Sequence, residues 1–252
     1  MSQAEKARLF KGLHVAGQPV VLYNIWDAGG AHALDKAGAK AIATGSWSVA
    51  AAHGYKDGEA MPLDFALMIV ERIAQSTDLP LTVDFEGGYA EDPDQIEKNV
   101  SRVIAAGAVG INFEDQIVKG SGLYTIPDQV ARIEAARRAA DTAGIPLFVN
   151  ARTDVFLKAG PDGVHADLMD DALARQAAYT VAGADGIFVP GLTDGSLIRT
   201  ICEEASLPVN VMMRGAFKSV EDAAEFGVAR VSFGPGPYAA AVEDLTARFN
   251  AI

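Results

Sequence analysis

Short apolar runs alternate with longer amphipathic stretches along almost the whole chain. We predict a buried β-strand for each run, at 20–24, 41–44, 81–85, 110–113, 147–150, 186–189, 209–212 and 230–233. Helical spacing of apolar residues occupies the segments around them, at 3–15, 28–38, 62–75, 94–106, 127–143, 168–182, 194–205, 219–226 and 237–250. Apolar strands that alternate with helices are typical of a parallel sheet buried on both faces.

Eight strand–helix repeats favour a closed barrel over an open sheet. The chain has 252 residues, and a (β/α)8 barrel typically has about 250. No linker or low-complexity stretch interrupts the repeats, so we expect one α/β domain over residues 1–252, a TIM barrel preceded by an N-terminal helix. A doubly wound sheet is the less favoured alternative, because no G-x-G-x-x-G motif follows the first strand.

Composition and charge narrow the classes of partner and compartment. The chain has 21 Lys and Arg against 33 Asp and Glu, a net charge of -12, so we expect no nucleic acid and no anionic membrane as partner. Cys202 is the single cysteine, which excludes an intramolecular disulfide. The first residues are polar, unlike a signal peptide, and no apolar run approaches the ~20 residues that span a bilayer. We therefore expect a cytoplasmic protein.

Polar side chains follow most of the predicted strands. Asp84 and Glu86 end the third strand and point the same way, since residues two apart on a strand share a face. Active sites of barrels lie at the carboxyl ends of the strands. The other polar or turn-forming residues expected at this end are Asn24, Asp27, Gly45, Ser46, Trp47, Asp57, Glu114, Asp115, Asn150, Arg152, Asp154, Asn210 and Arg214.

This acidic end of the barrel favours a divalent cation. Carboxylates that face one small space repel each other unless a cation lies between them. Mg²⁺ prefers oxygen ligands and keeps several waters. The alternative for each acid is an ordinary structural role, such as a helix cap for Asp57 or Glu114 or an ion pair between Arg152 and Asp154.

Several segments together resemble one enzyme superfamily, that of isocitrate lyase and phosphoenolpyruvate mutase. They are spread in order over about residues 20–240, and the clearest are Asn24-Ile-Trp-Asp-Ala-Gly29, Ala43-Thr-Gly-Ser-Trp-Ser48, Val83-Asp-Phe-Glu-Gly-Gly-Tyr89, Gly110-Ile-Asn-Phe-Glu-Asp115 and Asn150-Ala-Arg-Thr-Asp154. The resemblance implies a Mg²⁺-dependent enzyme, with Mn²⁺ as the alternative ion. It also implies a small anionic carboxylate substrate, cleavage of a C–C or P–C bond through an enolate, and a homo-oligomer, tetramer or dimer.

The same resemblance implies roles for individual residues. Asp84 matches the direct metal ligand, and Arg152 matches the arginine that binds the anionic end of the substrate. The acids that hold the ion mostly through its waters are matched by Asp57, Glu86 and Glu114. The positions that line the substrate pocket are matched by Gly45, Ser46, Trp47 and Asn210.

The segment that carries the general acid/base in this superfamily departs from its pattern. The C–C lyases have a Cys- and His-containing loop after the fourth strand, whereas residues 116–124 here contain neither. Lys119 and Ser121 loosely match the mutase loop and are the candidate proton-transfer residues. On the resemblance as a whole, we expect a lyase or decarboxylase acting on a small 2-oxo or 2-hydroxy acid. Phosphoenolpyruvate mutase or phosphonopyruvate hydrolase chemistry and a non-catalytic 2-oxo acid binding protein are the alternatives.

Overall fold

Eight parallel strands form the barrel predicted from the sequence. The computed structural model describes residues 1–214 and 219–252. Neighbouring strands follow the order β1-β8-β7-β6-β5-β4-β3-β2, and each hydrogen-bonded pair is parallel. The strands are β1 Val20–Leu22, β2 Ile42–Ala43, β3 Leu81–Asp84, β4 Gly110–Glu114, β5 Phe148–Arg152, β6 Gly186–Phe188, β7 Val209–Met212 and β8 Arg230–Ser232.

The helices cover the outside of the strands and agree with the predicted pattern except for short additions. Two short helices, Ser46–Ala52 and Val155–Ala159, lie in segments where we predicted no element, and a 3₁₀ turn at His165–Leu168 precedes the predicted helix 168–182. The first helix ends at Gly12 rather than at residue 15. No helix of the described residues is long and apolar enough to cross a bilayer. The helices are α1 Gln3–Gly12, α2 Ala28–Lys36, α3 Ser46–Ala52, α4 Leu63–Ala74, α5 Pro93–Ala105, α6 Ile126–Ala143, α7 Val155–Ala159, α8 Met169–Val181, α9 Gly195–Glu204, α10 Val220–Glu225 and α11 Gly236–Asn250.

The seam between β1 and β2 is closed by one bridge and one side chain. Ile25 and Thr44, just beyond the two strands, form an isolated parallel bridge. Asn24 donates from Nδ2 to the Thr44 carbonyl at 2.8 Å, while its Oδ1 accepts from the backbone of Phe233 and Gly234 at 2.8 and 2.9 Å. The buried amide of Asn24 thus ties the ends of β1, β2 and β8 together, where a continuous strand ladder is missing.

An aromatic cluster of Phe10 on α1, His14 just after this helix and Phe148 on β5 covers the amino-terminal end of the barrel. Phe10 is fully buried, and its ring meets the ring of Phe148 edge-on with centroids 5.5 Å apart. His14 stacks on Phe148 at 4.0 Å, and its Nδ1–H donates to the Phe10 carbonyl at 2.8 Å, since a carbonyl can only accept. This explains why the N-terminal helix carries apolar residues on one side.

Titration of His14 should make stability depend on pH. Burial lowers the pKa of His14 to about 3, with the charge of Arg230 acting in the same direction. The unfolded chain therefore binds a proton that the folded chain excludes between the unfolded pKa of 6.5 and about 3. We expect His14 to cost the fold ~1 kcal/mol of unfolding free energy per pH unit as the pH falls through this range.

The matched variant is His14→Phe, which keeps the stacked ring and removes the titration. Urea unfolding at pH 7 and pH 5 should show a smaller loss of unfolding free energy for the variant than for the wild-type chain. Equal losses in the two proteins would mean that His14 does not carry this pH dependence.

Candidate active site

A cavity of about 190 Å³ opens at the carboxyl ends of the strands, where barrel enzymes place their chemistry. Its polar walls come from the strands β3, β4, β5 and β8 and from the segments that follow β1, β2 and β7, so residues far apart in sequence meet there. The polar side chains that line it are Asn24, Ser46, Trp47, Ser48, Asp57, Asp84, Asn112, Arg152, Arg214 and Ser232, and Leu157, Phe188 and Pro190 are among its apolar residues.

Asp84, the predicted direct metal ligand, lies at the last position of β3 and lines this cavity. Its Oδ2 accepts hydrogen bonds from the backbone N and the Oγ of Ser46, at 3.0 and 2.8 Å. Its Oδ1 accepts only one long hydrogen bond, from the amide Nδ2 of Asn112 at 3.5 Å. One oxygen of Asp84 is therefore committed to the start of α3, and the other remains available to a ligand.

Two further predicted acids, Asp57 and Glu86, lie close enough to Asp84 for their charges to interact. Burial, followed by repulsion from Asp57 and Asp84, raises the pKa of Glu86 to about 8. Burial and repulsion from Asp84 also raise the pKa of Asp57. The sequence prediction that these carboxylates repel each other at one end of the barrel agrees with this arrangement.

Glu59 organises the loops around this acidic group, and sequence reasoning missed it. Its backbone N–H donates to Glu86 Oε2 at 2.8 Å, its Oε1 accepts from the Tyr89 backbone at 2.7 Å, and its Oε2 lies 3.5 Å from Lys119 Nζ. Glu59, Glu86 and Tyr89 all have positive φ, between 50° and 59°. Non-glycine residues seldom adopt this conformation, and such strain concentrates at functional sites.

Arg152 lines the cavity and is held by two acids. Its Nη1 lies 2.8 Å from Glu114 Oε2, while Nε and Nη2 bind the two oxygens of Asp154 at 2.6 and 2.9 Å. Burial raises the pKa of Glu114, and the positive charge of Arg152 opposes that shift. The ion pair with Asp154 considered from the sequence is therefore present, and it fixes the guanidinium at the cavity wall.

Asp115 makes structural contacts and does not line the cavity. It is fully buried, and its Oδ1 accepts from the backbone N of Asp154 at 3.0 Å. Its Oδ2 accepts from Arg175 Nη1 at 3.1 Å and from the Tyr179 hydroxyl at 2.9 Å. Asp115 thus joins the ends of β4 and β5 to α8, and it holds the Asp154 backbone that leads out of the Arg152 strand.

The predicted proton-transfer residues, Lys119 and Ser121, lie away from this cavity. The Lys119 side chain is 66% exposed, and it lines a separate cavity of about 140 Å³ with Glu59, Tyr124 and Arg132. Ser121 is exposed on the same loop. The structure does not bring either residue to Asp84 or Arg152, so their catalytic roles stay predictions.

The predicted substrate-binding residues fall into two groups. Gly45, Ser46 and Trp47 line the cavity, although the Ser46 N–H already donates to Asp84. Asn210 is buried one layer deeper, where its Oδ1 accepts from the Ser232 hydroxyl at 3.2 Å. Ser232 lines the cavity in its place, so a direct contact between Asn210 and the substrate stays a prediction.

The donor chemistry of this site fits Mg²⁺. Asp57, Asp84 and Glu86 present carboxylate oxygens whose mutual repulsion a divalent cation would relieve. No three His, Cys, Asp or Glu side chains of residues 1–214 and 219–252 form a group that could hold an ion directly. Mg²⁺ is commonly held by one or two carboxylates and several waters. These residues could supply the carboxylates.

Three other residues of the site escaped the sequence analysis: Asn112, Ser232 and Arg230, of which only Arg230 left a clear signal. It is an arginine at the start of the run predicted to be a buried strand, residues 230–233. A charged residue at such a position is rarely buried without a reason. Asn112 and Ser232 are ordinary polar residues, and only the register of β4 and β8 makes them part of the cavity wall.

Comparisons with known proteins identify the family of the chain. The model of the family phosphoenolpyruvate phosphomutase matches residues 10–252. An uncharacterized protein of Mycobacterium tuberculosis is 33% identical over 231 residues, 92% of this chain and 83% of that protein. A 2-methylisocitrate lyase of Escherichia coli is 28% identical over 215 residues, 83% of this chain and 70% of the lyase.

Solved structures give the same result. A Burkholderia cenocepacia protein, provisionally described as a phosphonomutase, superimposes with a TM-score of 0.96 at 48% identity, covering 99% of each chain. A phosphonopyruvate hydrolase in complex with oxalate and Mg²⁺ has the same fold, with a TM-score of 0.86 at 22% identity over 98% of this chain and 86% of the hydrolase. The chain therefore belongs to the phosphoenolpyruvate mutase/isocitrate lyase superfamily, whose members are enzymes.

Proposed function

We propose that this protein is a Mg²⁺-dependent lyase that cleaves a C–C bond of a small 2-oxo or 2-hydroxy carboxylic acid. The observation that carries the proposal is the convergence of Asp84, Asp57 and Arg152 on one cavity of about 190 Å³. Ligand pockets of drug-sized molecules usually occupy about 300–1,000 Å³. The smaller cavity here suits a short acid.

The positively and negatively charged residues of the site would have different roles. Arg152 presents a guanidinium that suits a substrate carboxylate, since arginine can bind two oxygens at once. Asp84, with Asp57, Glu86 and Glu114 around it, would hold the ion. When bound, Mg²⁺ would supply positive charge that stabilises negative charge developing on a substrate oxygen. Phe188, Pro190 and Leu157 would exclude water from one side of the substrate.

A second candidate is P–C chemistry, as in phosphoenolpyruvate mutation or phosphonopyruvate hydrolysis. Two findings favour it: the family model that matches the chain and the 48% identity to the Burkholderia protein described as a phosphonomutase. The same cavity would take a phosphonate against Arg152, because guanidinium binds phosphonate and carboxylate oxygens alike.

One assay separates these candidates. Release of 2-oxo acid and of phosphate is measured with Mg²⁺ and with a chelator, on oxaloacetate, 2-methylisocitrate, dimethylmalate, phosphonopyruvate and phosphoenolpyruvate. We expect chelator-sensitive turnover of a carboxylic acid without phosphate release. Phosphate release from phosphonopyruvate, or its interconversion with phosphoenolpyruvate followed by ³¹P NMR, would move the protein to the second candidate. Mg²⁺ binding without turnover of any compound would favour a non-catalytic 2-oxo acid binding protein.

We also propose that the protein is a homo-oligomer, because most of α11 is an amphipathic helix with an exposed apolar stripe. Every residue from 239 to 252 is exposed. The apolar residues at 242, 245, 249 and 252 follow the three- and four-residue spacing of one helical stripe, and the exposed fractions of Leu245 and Phe249 are 68% and 73%. On the outside of β1, Val21 and Tyr23 are also exposed, in an open groove of about 630 Å³. A second copy would bury both apolar surfaces.

Charge on the apolar stripe of α11 should therefore dissociate the assembly. We expect Leu245→Glu to lower the mass measured by light scattering after size-exclusion chromatography. Ala247→Glu places the same charge on the opposite face of the same helix and should leave the mass unchanged. A monomeric wild-type protein would refute the proposed oligomer.

A further inference from the structure

A single arginine, Arg230, crosses the interior of the barrel beneath the cavity. It belongs to β8 and is only 1% exposed. Its Nη2 donates to Asn112 Oδ1 at 2.9 Å, although Asn112 is on β4, on the opposite side of the barrel. Gly110 on β4 leaves room in this interior, because a Cβ there would lie 2.9 Å from the ring of Phe10 and 3.0 Å from Thr82 Oγ1.

This position is costly for a charged side chain. Within the described residues, Arg230 has no acidic partner in an ion pair, and its Nε and Nη1 have no hydrogen-bond partner. Burial lowers the pKa of Arg230, and the negative charge of Asp84 acts in the opposite direction. A buried charge with so few partners costs folding free energy, so its one strong contact calls for an explanation.

That contact fixes the orientation of the Asn112 amide. Asn112 Oδ1 accepts from two donors, Arg230 Nη2 and Asn150 Nδ2, both at 2.9 Å. Since only the oxygen of an amide can accept, these two donors determine which way the group is turned. The Nδ2 of Asn112 must then face the other way, toward Asp84 Oδ1 and the cavity that Asn112 lines.

We propose that Arg230 is a positioning residue that, through Asn112, aims an amide donor at the free oxygen of Asp84. The N–H of Asn112 would keep the Asp84 carboxylate turned for its ligand. Groups that orient a metal ligand in this way commonly change metal affinity by 10–100-fold when they are mutated. The functional part of this inference rests on the proposed Mg²⁺-dependent function.

The orientation is tested first on metal-free protein. In the ¹⁵N–¹H spectrum of the wild-type chain, the side-chain NH₂ of Asn112 should give one sharp pair of signals, assigned by its loss in Asn112→Ala. Arg230→Gln should shift or broaden that pair, since Asn112 Oδ1 then loses the guanidinium and is held by Asn150 alone. Unchanged Asn112 signals in a folded Arg230→Gln protein would overturn the inference, whether or not the wild-type chain binds Mg²⁺.

Calorimetric titration with Mg²⁺ alone tests the consequence at Asp84. We expect Arg230→Gln and Asn112→Ala each to weaken Mg²⁺ binding by roughly 10-fold. The double variant should bind no more weakly than the weaker single variant, because the two residues act in series. If the double variant instead lost Mg²⁺ affinity by the product of the two single losses, Arg230 would act independently of Asn112, and the proposal would be overturned.

Two further variants guard against a folding artefact. Arg230→Lys keeps the charge but cannot reproduce the guanidinium geometry, so it serves in the same cycle if the Gln variant does not fold. Arg137→Gln removes a part-buried arginine that binds Asp185 and the Gly183 carbonyl near the start of β6, away from the cavity. It should lower the unfolding free energy and leave Mg²⁺ affinity unchanged. A wild-type chain that binds no Mg²⁺ would defeat the proposed function, and the spectroscopic result would still decide the role of Arg230.

Discussion

Replacing Asp84 by alanine is expected to abolish Mg²⁺ binding and to reduce Mg²⁺-dependent turnover by about a thousandfold, the upper range for removing one charge-stabilising group from an active site. Asp84 is the carboxylate at the centre of the acidic group, and one of its oxygens is free toward the cavity. Its loss leaves Asp57 and Glu86 without the acid that they surround. The measurements are calorimetric titration with Mg²⁺ and turnover of the substrate that the panel identifies.

A matched control is Asp92→Ala, in the loop that follows β3. Asp92 caps α5, with its side chain accepting from the backbone N of Asp94. Its removal should cost about 1 kcal/mol of unfolding free energy and leave Mg²⁺ affinity intact. If Asp84→Ala bound Mg²⁺ as the wild-type chain does, the proposed metal site would be wrong.

Replacing Arg152 by lysine should lower kcat/KM by roughly 100-fold and also destabilise the fold. Lysine keeps the charge but cannot bind Glu114 and both oxygens of Asp154 together, as the Arg152 guanidinium does. The acids are then left partly unpaired in a buried site, at a cost of about 1–3 kcal/mol. Steady-state kinetics and urea unfolding measure the two effects separately.

Arg175→Lys distinguishes a loss of function from a loss of stability. Arg175 is also mostly buried and binds Asp115 and Asp171, but it does not line the cavity. We expect a comparable loss of unfolding free energy with little change in kcat/KM. Equal losses of kcat/KM in the two variants would mean that Arg152 acts through the stability of the fold alone.

The architecture could be predicted from the sequence because its signal repeats. Each strand is a short apolar run followed by an amphipathic helix, so an error in one element does not change the inferred barrel. The positions of Asp84 and Arg152 in the cavity wall followed from the same rule, since both lie near the carboxyl ends of predicted strands and both end observed ones. Boundaries were less certain, and α3 was missed because its alanine-rich stretch follows Gly45 without a polar cap.

The contacts inside the site could not be predicted in the same way. Glu59 lies in a loop with no pattern, and its role depends on three backbone conformations that strand and helix periodicity do not describe. The link from Arg230 to Asn112 joins residues 118 positions apart across the barrel. It depends on side-chain length and register, and neither is encoded in local propensity. Lys119 is the opposite case. It loosely matches the mutase loop in sequence, but its side chain lines a separate cavity.

The contacts of Glu59 also limit how freely this site can be re-engineered. One residue contacts Glu86 and Tyr89 after β3 and Lys119 after β4, and a Cβ on Gly87 would lie within 3.1 Å of its carboxylate. These loops are therefore not interchangeable modules. A chimera that received only residues 116–124 from a relative would lose the cation opposite Glu59 and leave a carboxylate that is 5% exposed without its partner. Successful transplants should carry the loops after β2, β3 and β4 together.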